Sequence, residues 1–223
     1  MDRATLLQAN DARGAPRLTD GRHWQRRRRY GGAVANQVKV TSIGVVHDWP
    51  TGFSAALPQD RWLVVHTYPR QEKKIIEALR ARQLPGIAFF ERRLRHYPGK
   101  GTQESLVPLI AGYLFVAGGR EEHDAIYATR RVVRVIDVPR PQELTTDLRH
   151  LIALITASTT PLVVRPELVP GKRISITNGT FAGCSGVIAR RSHDFELVVN
   201  LALLGTSVSV TLPAEYAELT PTD

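Results

Sequence analysis

The sequence predicts an α+β protein of two domains, and three observations lead to this prediction. Between Arg61 and Val138, short apolar strands alternate with helical segments, which is typical of a sandwich of sheet and helices. After Pro166 the hydrophobic period changes to two over closely spaced segments, which indicates a small SH3-like β-barrel. A Ser-, Thr- and Pro-containing stretch lies between them. The predicted domains are 60–157 and 166–223, with a linker at 158–165.

The first domain is predicted to pack around a central strand at Leu109–Ala117. This stretch is apolar and rich in aromatic and β-branched residues, with Pro108 before it and two glycines after it. Gly112 lies in its middle, so either the strand bends there or another group approaches the backbone. The other predicted elements follow in chain order: a strand at Trp62–His66, a helix with Ile75, Ile76 and Leu79 on one face, a strand at Ile87–Phe90, a charged hairpin at Glu91–Leu106, a short helix at Glu121–Thr129, a strand at Val132–Val138 and a helix at Gln142–Thr156.

Residues 1–59 show no sustained hydrophobic period and are predicted to be a mostly disordered, basic extension. Residues 37–46 alternate weakly and are compatible with a short strand. Arg26–Arg29 form a run of four arginines beside Trp24 and Tyr30. Such a run either binds nucleic acid by charge and stacking or is a solvated tail.

Charge and composition narrow the classes of function. The formal net charge is +9, and the excess of Lys and Arg lies entirely before residue 139. This asymmetry indicates a polyanionic neighbour for the first two thirds of the chain, although a basic surface kept for solubility is the alternative. Cys184 is the only cysteine, which excludes an internal disulfide and fits a reducing compartment. No apolar run reaches membrane-spanning length, so we expect a cytoplasmic protein.

An enzyme is not expected. The sequence has no phosphate-binding loop and no zinc signature, and its histidines are scattered. Cys184 has no general base at a motif spacing and is interpreted as a small buried hydrophobe. We therefore expect no catalytic residues, no metal and no cofactor.

Gly171–Ile188 resembles a KOW motif. The pattern runs from a glycine through an alternating strand to a Gly-x-Phe-x-Gly loop and a second strand, and the matching positions are Gly171, Gly179, Phe181, Gly183, Gly186 and Val187. Several ribosomal proteins carry such a motif. A KOW-bearing ribosomal or RNA-binding protein is therefore the competing interpretation, although the slightly acidic composition of residues 169–223 argues against it.

Three further stretches resemble the NusG family of transcription elongation factors, in which a KOW domain follows an N-terminal domain. They are Arg61–Val65, Ile110–Val116 and Ala128–Val132. The last stretch and the divergent loops are closer to the specialised RfaH-like paralogues than to housekeeping NusG. The resemblance implies a monomeric antitermination or elongation factor that binds the clamp helices of RNA polymerase through its N-terminal domain.

The resemblance also implies site residues. The polymerase-binding strand corresponds to Ile110, Ala111, Gly112, Tyr113 and Phe115, although core packing of Tyr113 and Phe115 is the alternative. The side that faces the polymerase gate loop corresponds to Glu122, His123 and Asp124, where the RfaH His-Thr-Thr segment is not retained. Non-template DNA is expected to meet Arg82, Thr129, Arg130 and Arg131, unless the arginine pair consists of solvated charges at a helix end.

The resemblance assigns the KOW domain to a second partner, ribosomal protein NusE or the terminator Rho. Phe181 is the expected anchor, presented on an exposed loop between Gly179 and Gly183. The alternative is that its ring folds back onto the barrel.

Overall fold

A computed structural model describes residues 39–191 and 194–213 of the chain. The arginine run at 26–29, and the disorder predicted for 1–38, lie outside the described residues. The described parts belong to one unit.

Within the described residues, the first sheet has six antiparallel strands: five follow the order β1-β3-β5-β2-β6, and β4 pairs with the outer part of β3. The predicted central strand therefore does lie in the middle. Its neighbours β3 and β2 come from distant parts of the sequence. The strands are β1 (Lys39–Trp49), β2 (Trp62–Thr67), β3 (Gly86–Tyr97), β4 (Gly101–Pro108), β5 (Tyr113–Ala117) and β6 (Val132–Asp137).

Three helices cover the two faces of this sheet: α1 (Glu72–Ala81), α2 (His123–Tyr127) and α3 (Pro141–Ala157). The helix α1 buries Ile75, Ile76 and Leu79 in one apolar cluster, as predicted, and α2 adds Ile126 to it. The helix α3 belongs to the cluster on the other face, with Trp62 and Phe115. This arrangement confirms the mixed α+β class and the layering of helices on a sheet.

The expected disorder is wrong for residues 39–59. The strand β1 pairs with β3 along its whole length, from Lys39 opposite His96 to Trp49 opposite Gly86. Trp49 is 1% exposed, and its indole N–H donates to the Leu84 carbonyl at 2.6 Å. The local sequence alternates only weakly here and does not predict a full strand. The strand forms because it pairs with β3, and the local sequence does not reveal this pairing.

The central strand is shorter than predicted. Only Tyr113–Ala117 is extended, and Leu109–Gly112 form a turn that connects β4 to β5. Gly112 has φ +78°, a left-handed conformation that an L-residue adopts at a cost. Of the two sequence-based predictions for Gly112, a bend or a close approach to the backbone, the structure shows the bend.

The C-terminal sheet has five antiparallel strands in the order β7-β11-β10-β9-β8. The apolar residues of the predicted alternation are buried, namely Ile174, Leu197, Val199, Val208 and Val210. Burial itself does not alternate, because Val198, Ser207 and Ser209 between them are buried as well. Closure of this sheet into an SH3-like barrel remains a prediction. The strands are β7 (Val163–Arg165), β8 (Arg173–Ser175), β9 (Ser185–Arg191), β10 (Asp194–Leu201) and β11 (Thr206–Leu212).

The stretch predicted to be a linker with few contacts is in fact part of the structure. Ser158 and Leu162 are buried, and β7 already begins at Val163. A Cβ on Gly44 of β1 would lie 2.5 Å from Leu162 Cδ1 and 3.1 Å from Ile155 Cγ2, so a larger residue there would require the Leu162 side chain to move. The stretch 158–165 is packed between other elements, because the preceding helix α3 contacts both β1 and the C-terminal strands β9 and β10.

Candidate functional site

A pocket of about 800 Å³ opens where the ends of β2 and β4 meet the start of α1. Leu106, Val107, Pro108 and Val133 provide apolar walls. Arg70, Lys73 and Lys74 also line it, are exposed, and form no ion pair with another described residue. The pocket is thus an apolar depression with positive charge along one side.

One side of the pocket is the turn that ends at Gly112. The Gly112 carbonyl accepts from Thr67 N–H at 2.8 Å, and its own N–H donates to Glu72 Oε1 at 3.1 Å. Both polar groups of this peptide position are therefore satisfied by other elements. Ala111, one residue earlier, is exposed to the pocket.

An aromatic pair lies beside this turn. Tyr113 on β5 stacks on His66 of β2, with ring centroids 4.8 Å apart and planes inclined by 11°. The register explains the contact, because Tyr113 and His66 are direct cross-strand partners and Arg134 is the next partner of His66 on β6. Both rings are partly exposed; His66 lines the pocket, and Tyr113 directly follows Gly112, which also lines it.

The second candidate surface follows α2. Arg130 has φ +55° and is exposed, and its backbone N–H donates to the Tyr127 carbonyl at 2.9 Å. Its guanidinium makes no hydrogen bond or ion pair with another described residue. Arg131 is held in place, since its Nη1 donates to Gln71 Oε1 at 2.7 Å and its carbonyl accepts from Tyr68 N–H at 3.0 Å. Tyr68 is 50% exposed, so an aromatic ring and a free guanidinium lie on neighbouring segments.

Residues 60–153 match the family model NusG, described as transcription termination factor nusG. This part of the chain, residues 60–153, is therefore similar to the NusG family. The match includes β2 to β6, α1, α2 and most of α3, and with them every residue of the pocket. The strand β1 and the C-terminal sheet lie outside it. No curated protein matches the chain. The match indicates a factor of transcription elongation or termination.

Two of the five residues assigned to the polymerase-binding surface are buried in the structure. Phe115 is 0% and Ile110 5% exposed, and both belong to the core cluster that α3 covers. They cannot be touched by a partner, because α3 occupies their face of the sheet. Ala111, Gly112 and Tyr113 remain accessible.

Sequence reasoning missed His66 and Glu72, which contribute directly to this site. His66 is on the strand before α1 and Glu72 is the first residue of α1, about 40 residues before the turn they contact. A cross-strand register joins His66 to Tyr113, and no local pattern announces such a register. The only available signal was the period-two placement of His66 on the face of Val64.

The four residues assigned to nucleic acid do not form one cluster. Thr129 Oγ1 donates to the Ile126 carbonyl at 2.7 Å and thereby caps the end of α2. Arg82 follows the C-terminal end of α1, where its Nη1 donates to the Ala78 carbonyl at 2.9 Å. Arg131 contacts Gln71 at the opposite end of this ten-residue helix, which is about 15 Å long. Arg130 is therefore the best-placed free cation of the set.

The residues assigned to the gate-loop side are largely engaged within the domain. Glu122 Oε2 accepts from Gly119 N–H at 2.6 Å, and His123 Nε2 lies 3.0 Å from Asp137 Oδ1. Asp124 is exposed in the first turn of α2. Only Asp124 of the three is thus presented freely to solvent.

The expectation of an exposed Phe181 is wrong. The ring is 4% exposed and belongs to the apolar cluster shared by α3 and the C-terminal sheet. Its loop is closed by Cys184 N–H to the Phe181 carbonyl at 3.0 Å and Gly183 N–H to the Ile176 carbonyl at 2.8 Å. These bonds turn the ring inward and leave Gly179 and Gly183 outside, because burial of a large apolar ring is favourable.

Cys184 is 1% exposed, and burial raises the pKa of its thiol, as expected for a small buried hydrophobe. Among the described residues, no group of His, Cys, Asp and Glu side chains is arranged to hold a metal ion. No helix in the same residues is both long and apolar enough to cross a membrane.

Proposed function

We propose that the protein is a non-enzymatic transcription elongation or antitermination factor that binds the clamp helices of RNA polymerase. The observation that carries the proposal is the pocket itself. It lies within the NusG match, and Ala111 and Gly112, two of the residues that the resemblance assigned to polymerase, form one side of it. An apolar depression beside a half-exposed aromatic pair suits the apolar face of a partner helix.

Non-template DNA is the proposed ligand of the second surface. Arg130 is exposed and unpaired among the described residues, and Tyr68 offers an aromatic face on the adjoining segment. A guanidinium neutralises phosphate, and an aromatic ring stacks on an unpaired base. Because Arg131 is already held by Gln71, we assign the direct contact to Arg130.

The C-terminal sheet is proposed to recruit a second partner, NusE or Rho, as a KOW domain would. Since Phe181 is buried, the exposed glycines on either side of it are the accessible part of the loop. A partner that uses the ring as an anchor requires the loop to open first.

The test is a retention assay of the full chain on RNA polymerase with a Tyr113→Asp variant. A carboxylate in the apolar contact would be desolvated without a partner, which costs several kcal/mol and should abolish binding. Leu168→Asp, at a 46% exposed apolar position in the C-terminal part, is the matched control and should bind like the parent.

Far-UV circular dichroism and a cooperative melt establish that both variants fold. Undiminished binding by folded Tyr113→Asp protein would remove Tyr113 from the interface. A parent chain that is retained by ribosomes and not by polymerase would instead support the RNA-binding alternative.

A further inference from the structure

The first residue of α1 has an unusual environment for a carboxylate. Glu72 is 6% exposed, although its neighbours Lys73 and Lys74 are exposed. Its Oε1 lies 3.1 Å from Gly112 N, on the turn between β4 and β5. A buried carboxylate requires hydrogen bonds to offset its desolvation, and here the donor is a backbone N–H of the proposed polymerase-binding segment.

The turn needs such an external support. Gly112 adopts φ +78°, and no residue of the turn itself accepts the Gly112 N–H. Thr67 holds the carbonyl of Gly112 from β2, and Glu72 holds its N–H from α1. The strand β2 and the helix α1, both distant from the turn in sequence, thus bind the carbonyl and the N–H of Gly112.

This support determines what the pocket presents. Ala111 precedes Gly112 and lines the pocket, and Tyr113 follows it and stacks on His66. A turn that is held before binding does not have to be ordered by the partner, which lowers the cost of association.

We propose that Glu72 is a positioning residue for partner binding, which acts by accepting the Gly112 N–H and holding the 109–113 segment in its binding conformation. The inference rests on the proposed function, because the partner is RNA polymerase. The purely structural alternative is that a carboxylate at the start of α1 only complements the helix dipole.

The experiment compares three variants of the full chain by polymerase affinity and by hydrogen exchange of the Gly112 amide. Glu72→Leu removes the acceptor and should weaken affinity about tenfold and accelerate Gly112 exchange. Glu72→Gln keeps an acceptor oxygen without the charge, and should stay within about twofold of the parent with Gly112 still protected. Glu77→Leu, an exposed carboxylate replaced on the same helix, is the matched control and should change neither quantity.

Equal losses of affinity in Glu72→Gln and Glu72→Leu would overturn the proposal, since the charge and not the acceptor would then matter. Accelerated Gly112 exchange with unchanged affinity would also overturn it. If Glu72→Leu does not melt cooperatively, Glu72→Ala takes its place because alanine favours the helix and lacks the acceptor. A parent chain that does not bind polymerase contradicts the proposed function and the inference with it, whereas binding that ignores Glu72 contradicts the inference alone.

Discussion

Two residues with a left-handed backbone conformation lie at the surfaces proposed to bind a partner. Gly112 and Arg130 both have positive φ, and both lie at segments assigned to a partner. For Gly112 the conformation costs little, but for an arginine it costs about 1 kcal/mol or more. Arg130 is exposed, whereas the neighbouring Arg131 is held by Gln71.

We predict that Arg130→Gly reduces the salt dependence of complex retention on DNA-bearing polymerase by about one phosphate equivalent. The free energy of unfolding should stay within about 1 kcal/mol of the parent, because relief of the positive φ offsets the entropy that glycine adds to the unfolded chain. Titration of retention against salt measures the first quantity and thermal melting the second. Arg190→Ala on β9 is the control, and an unchanged slope in Arg130→Gly would exclude the DNA contact.

At the scale of elements, the helix α3 packs against both the first sheet and the C-terminal sheet. Leu144, Leu148, Leu151 and Leu154 are buried, and the cluster they form continues into the C-terminal sheet. The Phe181 loop belongs to this cluster. The loop that was expected to expose Phe181 as an anchor thus contributes this ring to the core.

We predict that Phe181→Ala lowers the free energy of unfolding of the full chain by about 3–5 kcal/mol, the cost of deleting a buried aromatic ring. Chemical denaturation measures the loss. Thr180→Ala, an exposed neighbour on the same loop, should cost less than about 0.5 kcal/mol. Equal stability of the two variants would mean that the ring spends its time outside the core and is free to act as a partner anchor.

At the scale of the whole molecule, the contact between α3 and the C-terminal sheet contains titratable groups. Burial, and then the charge of Arg173, hold the pKa of His150 below its usual range. Burial raises the pKa of Asp147, although the Ala202 N–H at 3.3 Å and Arg173 act in the opposite direction. These side chains and Arg173 line one small cavity between the helix and the sheet.

The two shifts have opposite consequences for stability. Because the folded state prefers neutral His150, the unfolded state binds more protons, and stability falls as pH drops below the ordinary histidine value of about 6.5. The raised pKa of Asp147 means that the folded state binds the extra proton, so its contribution falls as pH rises above the ordinary aspartate value of about 3.9. Burial, then the charge of Arg80, also lowers the pKa of His47, with the same sign as His150.

We predict that His150→Gln loses less stability than the parent between about pH 7.5 and about pH 5.5, since it removes one group that must charge on acidification. The remaining loss should shrink again when His47→Gln is added. Melting temperatures of the parent, the single and the double variant at both pH values measure this. An identical acid loss in the parent and His150→Gln would contradict a lowered pKa of this partly buried imidazole.

The sequence by itself determined the composition of the core and the order of most elements. Hydrophobic period identified the faces of α1 and α3 and the strands of the C-terminal part, and the apolar, β-branched composition of Leu109–Ala117 predicted the strand β5. These features are local, because each depends on residues a few positions apart along one element. The resemblance carried by Arg61–Val65 and Ile110–Val116 likewise pointed to the NusG family, whose model matches residues 60–153.

Only the tertiary structure decided which of those residues a partner can reach. It paired β1 with β3 where the sequence indicated disorder, buried Phe115 and Phe181 where it indicated contacts, and brought Glu72 to Gly112 from another element. Each of these outcomes depends on strand register or on a neighbour distant in sequence. Whether a residue is exposed depends on how helices and sheets pack on one another. An apolar residue on one face of a strand gives the same sequence pattern whether that face is covered by α3 or exposed to solvent.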